Sequence, residues 1–86
     1  MKLLSILARE LKNSQKVYLY NVREHWYAYD RSALYLNATQ SQYVKLERVV
    51  NNTYQIVIDR AEVNLDLIDF CPVLLCSNTE MVLERI

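Results

Sequence analysis

The sequence predicts an α+β domain: a mixed β-sheet built from two hairpins and a C-terminal pair of strands, with about three helices packed on it. Three observations predict it. Leucines recur at helical spacing in the first dozen residues. Two stretches, residues 17–30 and 44–58, alternate apolar and polar side chains with period two and are each broken once by a short polar link. A last apolar run follows the chain's single proline. With 86 residues, all of this belongs to one domain with a thin core, since a chain this short hides only about 60 to 65% of the surface it exposes unfolded.

Leu3, Leu4, Leu7, Ala8 and Leu11, with Lys2, Ser5, Arg9 and Lys12 between them, predict an amphipathic helix over 2–13 that Asn13 and Ser14 end. Residues 17–22 and 25–30 are rich in Tyr, Val and Trp and predict a hairpin around Arg23-Glu24. Neither turn residue favours positive φ, which leaves room for a longer, less tight loop beside the two-residue turn. Asp30 or Ser32 can cap a short helix through Ala33, Leu34 and Ala38, which the polar Gln40-Ser41-Gln42 ends. Val44, Leu46 and Val50 and then Tyr54, Ile56 and Ile58 predict a second hairpin, with a longer loop or a bulge placing both apolar sets on one face. Asp59-Arg60-Ala61-Glu62 fits a capping box opening a third helix with Val63, Leu67 and Phe70 inward. Pro72 stops it, residues 72–76 predict a strand covered on both faces, and the final EMVLERI fits an edge strand better than the alternative, a short helix capped by Ser77.

Composition excludes several functions. Ten basic side chains balance ten acidic ones, whereas a domain that grips bare DNA through phosphates carries a basic excess. The balance is uneven: residues 1–31 hold six basic and three acidic side chains, a net of +3, and residues 32–86 hold four basic and seven acidic, a net of −3. Such a dipolar surface suits self-association or the steering of an anionic partner. There is no glycine, where average usage of roughly 7% gives about six. Phosphate-cradling loops need glycine for close backbone approach, so the P-loop and the dinucleotide fingerprint are excluded.

Cys71 and Cys76 match neither a redox pair nor a zinc pair, and the single histidine, His25, is far from them in sequence. No metal and no cofactor is expected, and the thiols are expected buried and free in a reducing compartment. The apolar part of MKLLSILARELK is too short for a secretory segment or a membrane span, which sets the expectation of a cytoplasmic protein with no membrane contact.

The stretch VYLYNVREHWYAYDRSALYL holds five of the seven tyrosines, the only tryptophan and the only histidine. If Arg23-Glu24 is the turn, Tyr20 lies opposite Tyr27, Tyr18 opposite Tyr29 and Val22 beside His25. Tyr18, Tyr20, Tyr27 and Tyr29 then share one face, while Val17, Leu19 and Ala28 take the other, with Trp26 opposite Asn21. The tyrosine face either roofs a helix, hydroxyls reaching water, or stands open as an aromatic platform for a protein or for bases.

The segment YLYNVREHWYAYDRSA resembles the start of the N-terminal mismatch-recognition domain of MutS proteins, with a strand, a turn, an aromatic strand and an acidic residue and Ala opening a helix. DRAEVNLDLIDFCPVLLC is similar to that domain's helix followed by an apolar strand, in the same order. Together these 34 residues are about forty percent of the chain. The resemblance implies a fold of that kind and a hairpin facing a partner. It does not imply repair activity, because the family's Gly-Asp turn is Arg23-Glu24 here and its mismatch-reading Phe-x-Glu element falls on His25-Trp26-Tyr27.

No catalytic residue is expected. His25 has no serine or cysteine at a telling distance, the E-x-K spacing of Glu10-Leu11-Lys12 falls on the solvated face of the first helix, and Asp66 and Asp69 read as solvated. The expected function is a small non-catalytic binding or adaptor module that contacts a protein partner or a second copy through the hairpin face (Tyr18, Tyr20, Arg23, His25, Tyr27 and Tyr29) or a sheet edge. The alternative is an accessory nucleic-acid-binding domain using Lys12, Lys16, Arg23 and Arg31.

Overall fold

A computed structural model describes residues 2–85. Six strands form one sheet: β1 (Lys16–Val22), β2 (His25–Tyr29), β3 (Val44–Asn51), β4 (Ile56–Val63), β5 (Val73–Cys76) and β6 (Glu80–Glu84). Their order across the sheet is β3-β4-β2-β1-β6-β5, and every neighbouring pair is antiparallel, so the sheet is not mixed. Helix α1 (Leu3–Leu11) lies on one face and helix α2 (Asp30–Thr39) on the other; two 3-10 turns, Ser41–Tyr43 and Leu65–Asp69, complete the fold.

The first hairpin has the expected register, Tyr20 opposite Tyr27 and Val22 opposite His25. Its loop is the two-residue turn and not the longer alternative. Arg23 (φ 52°) and Glu24 (φ 68°) both occupy the left-handed region of a two-residue turn whose twist matches the strands. Each non-glycine residue held there costs about 1–2 kcal/mol, and the strand pairing on both sides enforces it. The second loop spans residues 52–55, with Gln55 at φ 53° and the Asn51 side chain accepting from the Tyr54 amide at 3.0 Å. Four residues preserve the parity of a two-residue loop, so Val44, Leu46 and Val50 share a face with Ala61 and Val63, while Ile56 and Ile58 face the other side. The apolar sets are therefore split.

The third helix is replaced by strand. Asp59 to Glu62 continue β4 because that strand is paired on both sides, with β3 and with β2, and buries Ile58, Ala61 and Val63. Tertiary pairing overrides the local capping pattern. What remains of the helix is the 3-10 turn Leu65–Asp69, capped by the Asn64 side chain, which accepts from the Asp66 amide at 3.0 Å. Leu67 is buried there but Phe70 is exposed. The last two strands exchange expected places: β6 lies inside the sheet between β1 and β5, while β5 is the edge and all four of its residues are exposed.

The core lies between the sheet and α2. Val17, Leu19, Ala28, Ala61 and Leu83 meet Ala33 and Leu36 of the helix, with Leu67 closing one side. Leu34 and Ala38 of the same helix are exposed. On the opposite face α1 buries Ile6 and Glu10 with Leu3 and Leu7 partly covered, and leaves Leu4, Ala8 and Leu11 in solvent. Its inward stripe is rotated from the expected one because a charged residue is held inside.

That residue is Glu10, which has no solvent-accessible surface. Its Oε1 accepts from the Ser32 amide at 2.8 Å and its Oε2 from the Ser32 hydroxyl at 2.7 Å. The Ser32 hydroxyl oxygen accepts from the Tyr18 amide at 3.0 Å and from Asn13 Nδ2 at 3.2 Å. Asn13 also donates to the Lys16 carbonyl at 2.6 Å and accepts from the Lys16 amide at 2.9 Å. Neither Asp30, at φ 51°, nor Ser32 caps α2; the cap position is Tyr29, which offers no side-chain bond, and the Glu10 carboxylate fills the role from another helix.

Burial raises the Glu10 carboxyl above its ordinary value of 4.5, against the Ser32 and Asn13 hydrogen bonds and with a small contribution from Asp30. A raised folded-state value means that the folded chain holds this proton more tightly, so the stabilisation is complete below about 4.5 and declines as pH rises through the folded-state value. Glu10→Gln is expected to lose about 1–3 kcal/mol in denaturant unfolding. Since glutamine does not titrate, the gap to the native chain narrows with rising pH across that window. A gap independent of pH would show that Glu10 is not titrating in the fold.

Candidate functional site

The hairpin and the strands beside it build one aromatic face. Tyr18 and Tyr20 of β1 and Tyr27 and Tyr29 of β2 point to the α1 side, flanked by Glu80 and Val82 of β6 and by Arg60 and Glu62 of β4. Tyr20 is buried and packs tilted on Tyr29 with ring centroids 5.9 Å apart. Leu3 and Ile6 of α1 line a cleft with both rings. Arg9 of α1 lays its guanidinium over the Tyr18 ring at 3.8 Å and donates to the Tyr20 hydroxyl and to Glu80, each at 3.3 Å. On the other flank Arg60 lies 4.5 Å from the Tyr27 ring centroid and donates through Nε to Glu47 at 2.9 Å. Arginine is suited to this, because its plane covers a ring while its edge binds a carboxylate.

Tyr18, Tyr27 and Tyr29 are consequently half-buried, and the face is largely roofed by α1 and two guanidinium groups. Arg23 and His25 are exposed at the hairpin tip. The His25 ring is 6.4 Å from Tyr27, and its Nδ1 is 3.9 Å from a Glu62 carboxylate oxygen. The six hairpin residues thus fall into a covered part, Tyr20 and Tyr29 with Tyr18 beside them, and an open tip of Arg23, His25 and the rim of Tyr27.

The sheet edges differ sharply. β3 carries Lys45, Glu47 and Arg48, charged side chains of the kind that discourage further strand pairing. β5 pairs only with β6, through a register shift between Val73 and Leu75, and bears no charge. Val73, Leu74 and Leu75 are 44%, 49% and 51% exposed. Leu65, Ile68 and Phe70, just before the strand, are exposed too, and Phe70 leans on Tyr43 with ring centroids 5.0 Å apart. Sequence reasoning placed this run inside the sheet. The signal that it lies outside was Pro72, which suits the start of an edge strand because it cannot donate to a neighbour.

Both cysteines are free; Cys71 is buried, which pushes its thiol up, while Cys76 is exposed on β5 and not buried as expected. Among the described residues no group of three or more His, Cys, Asp or Glu is placed to hold a metal ion, and no helix is long and apolar enough to cross a membrane.

Burial raises the Tyr20 and Tyr29 phenols above the ordinary tyrosine range, with Arg9 and Arg60 respectively opposing the shift. In a spectrophotometric titration, Tyr20→Phe and Tyr29→Phe are each expected to delete one late-ionising phenol. Tyr20→Phe also removes the acceptor for Arg9 and is expected to cost about 1 kcal/mol in denaturant unfolding. Comparison of the chain with protein-family models, curated proteins and solved structures finds no match.

Proposed function

We propose that this domain is a protein-binding module whose contact element is the open edge of β5. The observation that carries this reading is the uncharged strand Val73–Cys76, about half exposed and paired on one side only, continuous with exposed Phe70 and Ile68. An edge strand offers a row of free backbone donors and acceptors to any extended segment, and apolar side chains on it add buried area to that pairing. The hairpin face is less suited, since Tyr20 is buried and Arg9 and Arg60 already occupy the outer rings.

The partner favoured here is a second copy, added antiparallel about a two-fold axis. An uncharged strand meets itself without like-charge repulsion, and a two-fold contact uses the same patch twice. Light scattering across a concentration series is expected to show a dimer, and Leu74→Lys and Leu75→Lys, both at exposed positions, to weaken it at least about tenfold, the value of roughly 1.4 kcal/mol. A strict monomer at every concentration would remove the self-pairing, and retained dimerisation in both variants would move the contact away from β5.

A second reading is an accessory nucleic-acid contact of MutS N-terminal type at the hairpin tip. It is supported by Arg23 and His25 standing exposed beside the half-covered Tyr27. Single- and double-stranded DNA titrated at low salt is then expected to bind, and Arg23→Ala with His25→Ala to weaken binding about tenfold or more. No binding, or binding indifferent to the pair, sinks it.

A further inference from the structure

The α1–β1 loop, the first turns of α2 and the end of β6 meet around an open cleft of about 490 Å³ lined by Asn13, Ser14, Arg31, Leu34, Tyr35 and Arg85. Two guanidinium groups line it. Arg85 is fixed in three ways: its amide donates to the Gln15 carbonyl at 3.0 Å, its Nε donates to the Lys16 carbonyl at 3.1 Å, and its guanidinium lies 4.6 Å from the Tyr35 ring centroid. Arg31 donates to the Asn13 carbonyl at 3.3 Å. The ion pairs among the described residues belong to Arg9, His25, Arg48 and Arg60, so neither cleft arginine has a carboxylate partner within 4.0 Å there.

Arg85 Nη2 is buried and has no hydrogen-bond partner among the described residues. A buried donor left unmade is costly, and in native structures such a group calls for an acceptor. Arginine presents its donors as a planar fork that fits carboxylate and phosphate oxygens two at a time. Among the described residues Glu10 is buried on Ser32, and Glu84, opposite Lys16 in the sheet, is in no ion pair. The apolar part of the wall is Leu34, 45% exposed, with Tyr35 next to it in sequence.

We propose that this cleft binds a small oxyanion, a carboxylate or phosphate group carried on a compact apolar body, with Arg31 and Arg85 holding the anion and Leu34 meeting the body. The site is separate from the β5 edge and does not depend on the pairing proposed there.

The test is an amide and arginine Nε NMR titration of the full chain at constant ionic strength with phenyl phosphate, benzoate and inorganic phosphate. Saturable shifts are expected at Asn13, Ser14, Arg31, Leu34 and Arg85, with the tighter of the two aromatic probes identifying the anion and inorganic phosphate binding several-fold more weakly than phenyl phosphate. Arg31→Gln removes one charged donor at an exposed position and is expected to weaken binding about tenfold or more. Arg85→Lys keeps the charge, loses the fork and is expected to do the same. Shifts that do not saturate, that sodium chloride reproduces, or that persist undiminished in Arg31→Gln overturn the proposal, and this holds even if Arg85→Lys folds poorly.

Discussion

The fold turns on a buried carboxylate. Glu10 projects from α1 into the start of α2 and is bonded there by the Ser32 amide and hydroxyl, while Ser32 and Asn13 bind the backbone of β1. A helix from each face of the sheet and one of its strands are thus joined at one point. A carboxylate taken out of water is unfavourable by itself and is tolerated only where donors replace its hydration. The donors here come from segments 22 residues apart in sequence, so the bonds exist only when the helices and strand are all in place. The network therefore specifies the arrangement at least as much as it stabilises it, and it fixes which stripe of α1 faces inward.

From that arrangement follows the inequality of the two faces. The α2 side is an ordinary aliphatic core of Val, Leu and Ala. The α1 side is too polar to be one: its tyrosines, glutamates and arginines are interleaved so that each guanidinium covers a ring and satisfies an acid. A nine-residue helix cannot cover a six-stranded sheet, and the arginines extend the cover beyond it.

The register of the first hairpin was legible, because period-two aromatics and parity are local properties, and so was the presence of both helices of the first half. The strand through Asp59 was not, since its capping pattern is equally compatible with a helix and only pairing on both sides decides between them. β5 and β6 exchanged places for the same reason: four consecutive apolar residues read as interior, yet strand order is a non-local fact. Glu10 read as a solvated helix residue, as most glutamates are. Of the hairpin residues, the sequence located the shared face but not its roof, because Arg9 and Arg60 come from distant elements. The Arg31–Arg85 cleft is assembled from residues 54 apart, and a single sequence carries no signal for it.

The two ends of the sheet also set its valence. With charges along β3 and none along β5, the sheet has a single uncharged margin. Whatever strand is added there saturates it, and if that strand is another β5, both margins are consumed in one event and no free one remains. Under the proposed self-pairing such a sheet pairs without polymerising, and the charged side chains of β3, far from the contact, would separate a closed assembly from a fibre.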